Sequence, residues 1–240
     1  MEGKKSVQAR EYELELIEVV QETSEVKLFR FIIPKDFYFY SGQFVMLYFM
    51  DEPEINYGRA YSIASSPENN SCIEIGLAKV AKFTSRMFEL EKGAVMKMKG
   101  PYGKFYFSKD AKNNVVLIGG GTGITPLMSI IRQCSDLKLQ NKISLVYSVK
   151  SPELIIYRKE IEEIKKINSR FDYEITVTRE HTGWKGSKGR ITAELLEKNI
   201  EDVSGSIYFL CGSNDFVKSI IGMLEILGVK KEQIKTDVWG

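Results

Sequence analysis

Arg59-Ala60-Tyr61-Ser62-Ile63-Ala64-Ser65-Ser66-Pro67 is the stretch whose residue types invite chemistry most directly. It reads as a β-strand running into a turn. Side chains alternate along a strand, so Arg59 and Tyr61 point the same way. A fixed cation beside a flat, hydrogen-bonding ring suits a ligand that is both aromatic and phosphorylated. Ser62 adds a small hydroxyl next to the ring, able to donate to or accept from a ring nitrogen. A flavin nucleotide has these needs. An ordinary half-buried strand with an exposed arginine fits the same residues.

Four further places carry candidate chemistry. Thr84-Ser85 is expected to open a short helix over about Ser85 to Glu91, closed by Gly93. Free N–H groups and the helix dipole make such a start an anion site, and two hydroxyls add donors. Plain N-capping is the other use of these residues. Lys79 and Lys82 stand just upstream. Gly119-Gly120-Gly121-Thr122-Gly123-Ile124-Thr125-Pro126 follows a buried strand and opens a helix. Glycines there let a backbone approach a pyrophosphate closely, or simply make a tight strand–helix turn. The spacing is neither Gly-x-Gly-x-x-Gly nor a P-loop. Arg179 ends a later strand, with Lys185, Lys188 and Arg190 following. Strand ends of open parallel sheets are where ligands bind, so these cations could hold a phosphate or simply be solvated. Leu210-Cys211-Gly212-Ser213 ends another strand at the same edge, and Trp239 is the penultimate residue. His181 is the only histidine and reads as a surface loop residue, which leaves no Ser-His-Asp scheme.

The elements that must position these residues fall into two kinds. Residues 11–110 show many short strands with turn signals between them: Tyr12–Val20, Glu25–Ile33, Gln43–Phe49, Arg59–Ile63, Cys72–Lys79 and Val95–Lys99. That pattern predicts an antiparallel barrel or sandwich. After the polar turn at Asp110–Asn114, buried strands alternate with amphipathic helices. The strands are Val115–Ile118, Ile143–Val149, Tyr173–Thr178, Ser206–Leu210 and Ile234–Val238; the helices are about 126–138, 152–168, 192–198 and 214–227. Thr125-Pro126 and Ser151-Pro152 read as capped helix starts. This alternation predicts a parallel sheet covered on both faces. The expected plan is a β-barrel domain over 1–110 and an α/β domain over 111–240.

Composition narrows the classes further. The chain has 240 residues, 43% of them apolar, so a packed core is expected. Its net charge is +2, with 34 basic against 32 acidic residues, which argues against a general nucleic-acid or membrane-surface binder. No apolar run reaches about eighteen residues. Cys72, Cys134 and Cys211 are far apart, so no zinc or iron–sulfur spacing is present, and a reducing cytoplasm is the expected compartment.

Together these motifs resemble the ferredoxin–NADP⁺ reductase superfamily over nearly the whole chain. Arg59-Ala60-Tyr61-Ser62 is similar to its Arg-x-Tyr-Ser flavin motif, and Phe83-Thr84-Ser85-Arg86 to the helix start that holds the FAD pyrophosphate. Gly100-Pro101-Tyr102-Gly103 resembles the turn closing the flavin barrel. Gly119 to Pro126 resembles the nicotinamide-nucleotide loop, Cys211-Gly212-Ser213 the Cys-Gly motif, and Ile234 to Gly240 the family's ending.

The resemblance implies roles. Arg59 and Ser85 would hold FAD phosphates, Tyr61 would stack on the isoalloxazine and Ser62 would bond near its N5. Thr122 and Cys211 would border the nicotinamide, with Ser62, Cys211 and Trp239 nearest the chemistry. The implied cofactor-binding set also takes in Ala60, Leu77, Lys79, Thr84, Gly121, Gly123, Gly212, Arg179, Arg190 and Trp239. The implied reaction is hydride transfer from NAD(P)H to the flavin, then electron transfer to ferredoxin, flavodoxin or an oxygenase component. Asp237 stands where many members have Glu, and Trp239 where many have Phe or Tyr. No plant-type Cys₄ cluster is present, so the acceptor is expected to be a separate protein or a small molecule. A non-catalytic relay subunit and a small-molecule flavin or ferric reductase are the competing expectations. Arg179 leads to an expected modest preference for NADPH, against which Gly183-Trp184-Lys185-Gly186 and Glu180 weigh.

Overall fold

The computed structural model describes residues 9–239 apart from 51, 56, 70, 180 and 181. The expectations for His181, Glu180 and Gly240 lie outside the described residues.

Six strands build the first half: β1 (Arg10–Gln21), β2 (Val26–Phe31), β3 (Phe44–Tyr48), β4 (Arg59–Ser62), β5 (Ile73–Ala78) and β6 (Val95–Tyr102). All pairings are antiparallel, in the order β4-β3-β6-β1-β2-β5. Alternate residues such as Leu14 and Leu16, Phe29 and Phe31, Val45 and Leu47, and Met96 and Met98 are fully buried. This is the period-2 pattern of a sheet with one face inward. The two edges meet just past β4, where the Ala64 N–H donates to the Glu74 carbonyl at 2.8 Å, so the sheet nearly closes as a barrel. Helix α1 (Lys82–Met87) packs on it through Phe83 and Met87.

The second half holds β7 (Asn114–Gly120), β8 (Ile143–Val149), β9 (Phe171–Val177), β10 (Ser187–Lys188), β11 (Ser206–Ser213) and β12 (Ile234–Trp239). They form one all-parallel sheet in the order β10-β9-β8-β7-β11-β12. Between them run α2 (Ile124–Asp136), α3 (Arg158–Ile167), α4 (Ala193–Asn199) and α5 (Asn214–Ile226). Leu117, Leu145, Tyr147 and Phe209 pack toward α2 and α3; Val116, Ile118, Tyr208 and Leu210 pack toward α4 and α5. Strand order reverses at β7, and β7 and β11 diverge into loops at the place where open α/β sheets take ligands.

The halves share a core. Val26, Leu28 and Ala64 of the barrel lie in the same apolar cluster as Ile124, Leu127 and Met128 of α2.

Three helix expectations need correcting. The first helix starts at Lys82, three residues ahead of the expected Ser85, because Thr84 caps backward from inside it. Thr125-Pro126 lies within the first turn of α2, which begins at Ile124 after the uncapped Gly123. The helix expected over 152–168 is broken: a 3₁₀ turn over Pro152–Leu154 is separated from α3 by Ile155, Ile156 and Tyr157. Those three consecutive residues are all buried, which one helix face cannot achieve. Strand β10 is two residues long and was not expected, since so short a run carries no period.

Candidate active site

Strand β4 presents the first group. It pairs with β3, placing Ser62 opposite Phe44 and Tyr61 opposite Val45. Arg59 is exposed and lies over the Tyr57 ring at 4.5 Å. Tyr61 is half-buried and packs on Phe83 with ring centroids 6.0 Å apart; burial pushes its hydroxyl pKa up. Ala60 is exposed beside them. The Leu77 side chain is buried in the barrel core, and Ala78 and Val80 line the cleft in its place. Lys79 is exposed next in line.

Helix α1 supplies the second group, differently from the expectation of two free hydroxyls. The Thr84 hydroxyl is buried and committed: it accepts from the N–H groups of Val80 and Ala81 at 2.9 Å and donates to the Ala81 carbonyl. This leaves the first-turn N–H groups of Lys82, Phe83 and Thr84 outside the i→i−4 ladder. Ser85 is half-exposed beside them. Lys82 pairs with Glu54, and Arg86 with Glu52.

The glycine loop forms the third group. Gly121–Gly123 is a 3₁₀ turn between β7 and α2. Gly121 has φ +55°, the left-handed region that favours glycine, and a Cβ there would meet open space. Its carbonyl accepts from the buried Tyr147 hydroxyl at 2.9 Å. Gly123 is glycine for a different reason. A Cβ would run into the Cys211 carbonyl and come within 2.7 Å of the Trp239 ring.

The decisive junction lies beyond that loop. Strand β12 pairs with β11 so that Asp237 stands opposite Cys211, Val238 opposite Gly212 and Trp239 opposite Ser213. Asp237 Oδ2 accepts from the Ser62 hydroxyl at 3.4 Å and from the Cys211 thiol at 3.7 Å. One carboxylate thus joins β4 of the barrel to β11 of the α/β half. Burial raises the Asp237 pKa above the ordinary carboxyl value, opposed by its bonds to Cys211 and Ser62. Burial, then the neighbouring Asp237, holds the Cys211 thiol well up, so it is a neutral thiol at neutral pH. The resemblance marks Asp237 only as standing where many members have Glu and assigns it no role. The parallel register opposite Cys211 is the signal that finds it.

Two cavities flank this junction. One of about 420 Å³ is lined by Gly120, Gly121, Thr122, Thr178, Phe216 and Trp239 among others. It also takes in Thr23 and Glu25 of the β1–β2 hairpin and the cation Lys150, which were not expected at the site. A second of about 300 Å³ opens on the barrel side, between Phe44, Gly103, Lys104, Lys235 and Asp237. Ser62, Cys211, Gly123 and Trp239 are therefore brought together, and Thr122 and Gly121 border them. Arg179 and Arg190 sit apart, exposed at one edge. Strand β10 pairs with β9 at Lys188 opposite Val177, so the two arginines follow adjacent parallel strands two residues on.

Comparison with known proteins agrees with this layout. Residues 13–107 match the oxidoreductase FAD-binding domain family, and residues 117–221 the oxidoreductase NAD-binding domain family. The chain thus joins these two oxidoreductase domain families, one in each half. It is 29% identical over 241 residues to one subunit of the Na⁺-translocating NADH-quinone reductase of Haemophilus ducreyi, covering 93% of this chain and 59% of that one. The same-named subunit from Actinobacillus pleuropneumoniae is 30% identical, with 88% and 55% covered. The chain thus spans little more than half the length of these curated relatives. A ferredoxin NADP⁺ reductase from Neisseria gonorrhoeae with bound FAD and NADP shares the fold at TM-score 0.82 and 21% identity, covering 96% of this chain and 99% of that one. The Amycolatopsis cytochrome P450 reductase does so at TM-score 0.86 and 20% identity, with 97% and 71% covered. The protein therefore carries an FAD-binding and an NAD-binding oxidoreductase domain. Among the described residues no helix is long and apolar enough to cross a membrane.

Proposed function

We propose that this reductase takes hydride from NAD(P)H at the Ser62–Asp237–Cys211 junction and passes electrons to a separate acceptor. The observation that supports this most is the single carboxylate bridging strands of both halves at the sheet's switch point. The division we propose is a flavin domain over 1–110 and a nucleotide domain over 111–240.

The residues fit an FAD. Arg59 and the first turn of α1 with Ser85 would take the two phosphates, Tyr61 offers a ring face, and Ser62 an O–H at the end of that strand. Gly121 leaves open space for a pyrophosphate, with Thr122, Gly123 and Gly212 beside it. When bound, the flavin supplies the conversion between two-electron and one-electron chemistry. The chain's own work is positioning and exclusion of water. Asp237 orients the Ser62 hydroxyl and the Cys211 thiol, and its raised pKa lets Oδ2 take a proton more readily than an exposed aspartate would. Trp239 covers the nucleotide cavity. Thr84 serves through its backbone N–H, and Leu77, Ala60 and Lys79 through the strand backbone beside the ring.

Identifying the flavin in the purified protein tests the proposal: FAD is expected, and a colourless protein that takes up no added FAD ends it. Arg59→Ala should weaken FAD binding by about 1.5–3 kcal/mol, the worth of a charged hydrogen bond.

For the nucleotide, we propose a modest preference for NADPH with NADH also used. Arg179 and Arg190 at adjacent strand ends support this, since guanidinium pairs with a 2′-phosphate as a fork. The relatives named for NADH favour the reverse. Comparing kcat/KM for the two decides, and an unchanged ratio in Arg179→Ala removes Arg179 from the site.

The proposed acceptor is a ferredoxin, flavodoxin or oxygenase component in the cytoplasm. A second reading, work as an electron-relay subunit delivering to a quinone-reducing complex, is favoured by the relatives' name. Reduction rates with each acceptor class separate the two.

A further inference from the structure

One face of α2 is polar although the helix is almost wholly buried. Ser129 Oγ donates to the Ser65 carbonyl at 2.7 Å. Arg132 Nη1 donates at 2.8 Å to both the Ala64 carbonyl and Glu74 Oε1. Its Nε and Nη2 fork onto Glu160 of α3 at 2.6 Å each. Gln133 accepts from the Ser41 hydroxyl at 2.6 Å and donates to Glu68 at 3.0 Å. Apart from Glu160, every one of these partners is in the barrel. Four of them, Ala64, Ser65, Glu68 and Glu74, lie on the loop leaving β4 or on the strand β5 that it enters.

The other end of α2 is the glycine loop. Gly123, the residue before the helix, lies so close to the Cys211 backbone and the Trp239 ring that a Cβ there would collide with both. Nine residue steps along the helix separate it from Arg132, about 13.5 Å at 1.5 Å each. One rigid rod therefore touches the nucleotide loop at its start and holds the continuation of the flavin strand along its side. Buried polar groups held by several bonds at once have few alternative arrangements.

We propose that Arg132 and Ser129 are positioning residues that couple nucleotide binding at Gly121–Gly123 to the placement of Tyr61 and Ser62. The coupling acts through the Ala64–Ser65 carbonyls and rests on the functional reading given above. Coupling of this kind is reciprocal, so a bound nucleotide stiffens the segment after β4.

Amide hydrogen exchange of the segment over residues 60–69, with and without saturating NADP⁺ or NAD⁺, reads this without turnover. The wild type should exchange Ile63 and Ala64 at least threefold more slowly with nucleotide bound. Ser129→Ala, which removes one tether and leaves the ion network intact, should lose most of that slowing. Arg132→Gln combined with Glu74→Gln, which removes the buried Glu74 charge together with its Arg132 partner, should lose all of it. In stopped-flow reduction the same variants should fall threefold and tenfold in rate at saturating nucleotide, with nucleotide Kd within twofold. If Ser129→Ala keeps the full slowing and the full rate, the proposal is overturned, whether or not the double variant folds. A wild type that takes up no flavin yet shows the nucleotide-dependent slowing would end the reductase reading and leave the coupling standing.

Discussion

At the scale of single residues, the cluster of Ser62, Cys211 and Asp237 carries two predictions. Cys211→Ala should slow flavin reduction about tenfold, or about 1.4 kcal/mol, while bound FAD stays at one per chain. Stopped-flow reduction at the wild-type rate would remove the thiol from the site. Asp237 is held above the ordinary carboxyl pKa by burial, so the folded protein binds its proton more tightly than the unfolded chain does. The stability tied to that proton is complete below the ordinary Asp range, about pH 4, and is lost as pH rises through the raised value. Asp237→Asn should therefore raise Tm at pH 7–8 and leave it unchanged at pH 4, while lowering the rate of reduction. Thermal scans of both proteins at the two pH values check the sign. Legibility in the sequence was uneven at this scale. Arg59, Tyr61, Ser62 and Cys211 announce themselves by type. Asp237 does not, because what matters is the partner that a parallel register sets opposite it.

At the scale of elements, the loop before α2 makes a contrast between neighbouring glycines. Gly121→Ala meets open space but must hold φ +55°, which costs roughly 1–2 kcal/mol and leaves the cavity shape intact. Gly123→Ala has no room, since its methyl would press on the Cys211 carbonyl and the Trp239 ring. It should cost about 1–3 kcal/mol by overpacking and abolish nucleotide binding, with FAD retained. Isothermal titration with NADP⁺ and NAD⁺ on both variants tests this; equal affinities for the two would refute it. The strands were readable because burial on one face imposes period 2 on Leu14, Leu16, Phe29 and Phe31. The helix over 152–168 was not, because Ile155, Ile156 and Tyr157 answer to a neighbouring domain rather than to their own helix. The start of α1 was hidden for a similar reason: Thr84 looks like an N-cap in sequence but caps from the third helical position.

For the whole molecule, the shared core and the ion network between halves govern cooperativity. Burial pushes the Glu74 carboxyl up, but Arg132 and Arg30 outweigh it and its pKa lies below the ordinary value. Its contribution is present above the ordinary Glu range and is lost as pH falls through that lowered value. Glu74→Ala takes the buried carboxylate from Arg132 and Arg30 while Arg132 keeps Glu160 and the Ala64 carbonyl, and should cost about 1–3 kcal/mol. Urea unfolding of the wild type should be a single transition at pH 7. Both tryptophans, Trp184 and Trp239, lie in the second half, so their fluorescence would run apart from far-UV dichroism if the halves unfolded separately. The bond from Ser62 to Asp237 joins positions 175 residues apart in sequence. Loop closure over that distance is among the last events a growing chain can complete. A ribosome-bound or truncated chain lacking β12 cannot make the Ser62–Asp237 bond. The order of synthesis itself thus makes this junction one of the last contacts to form between the halves.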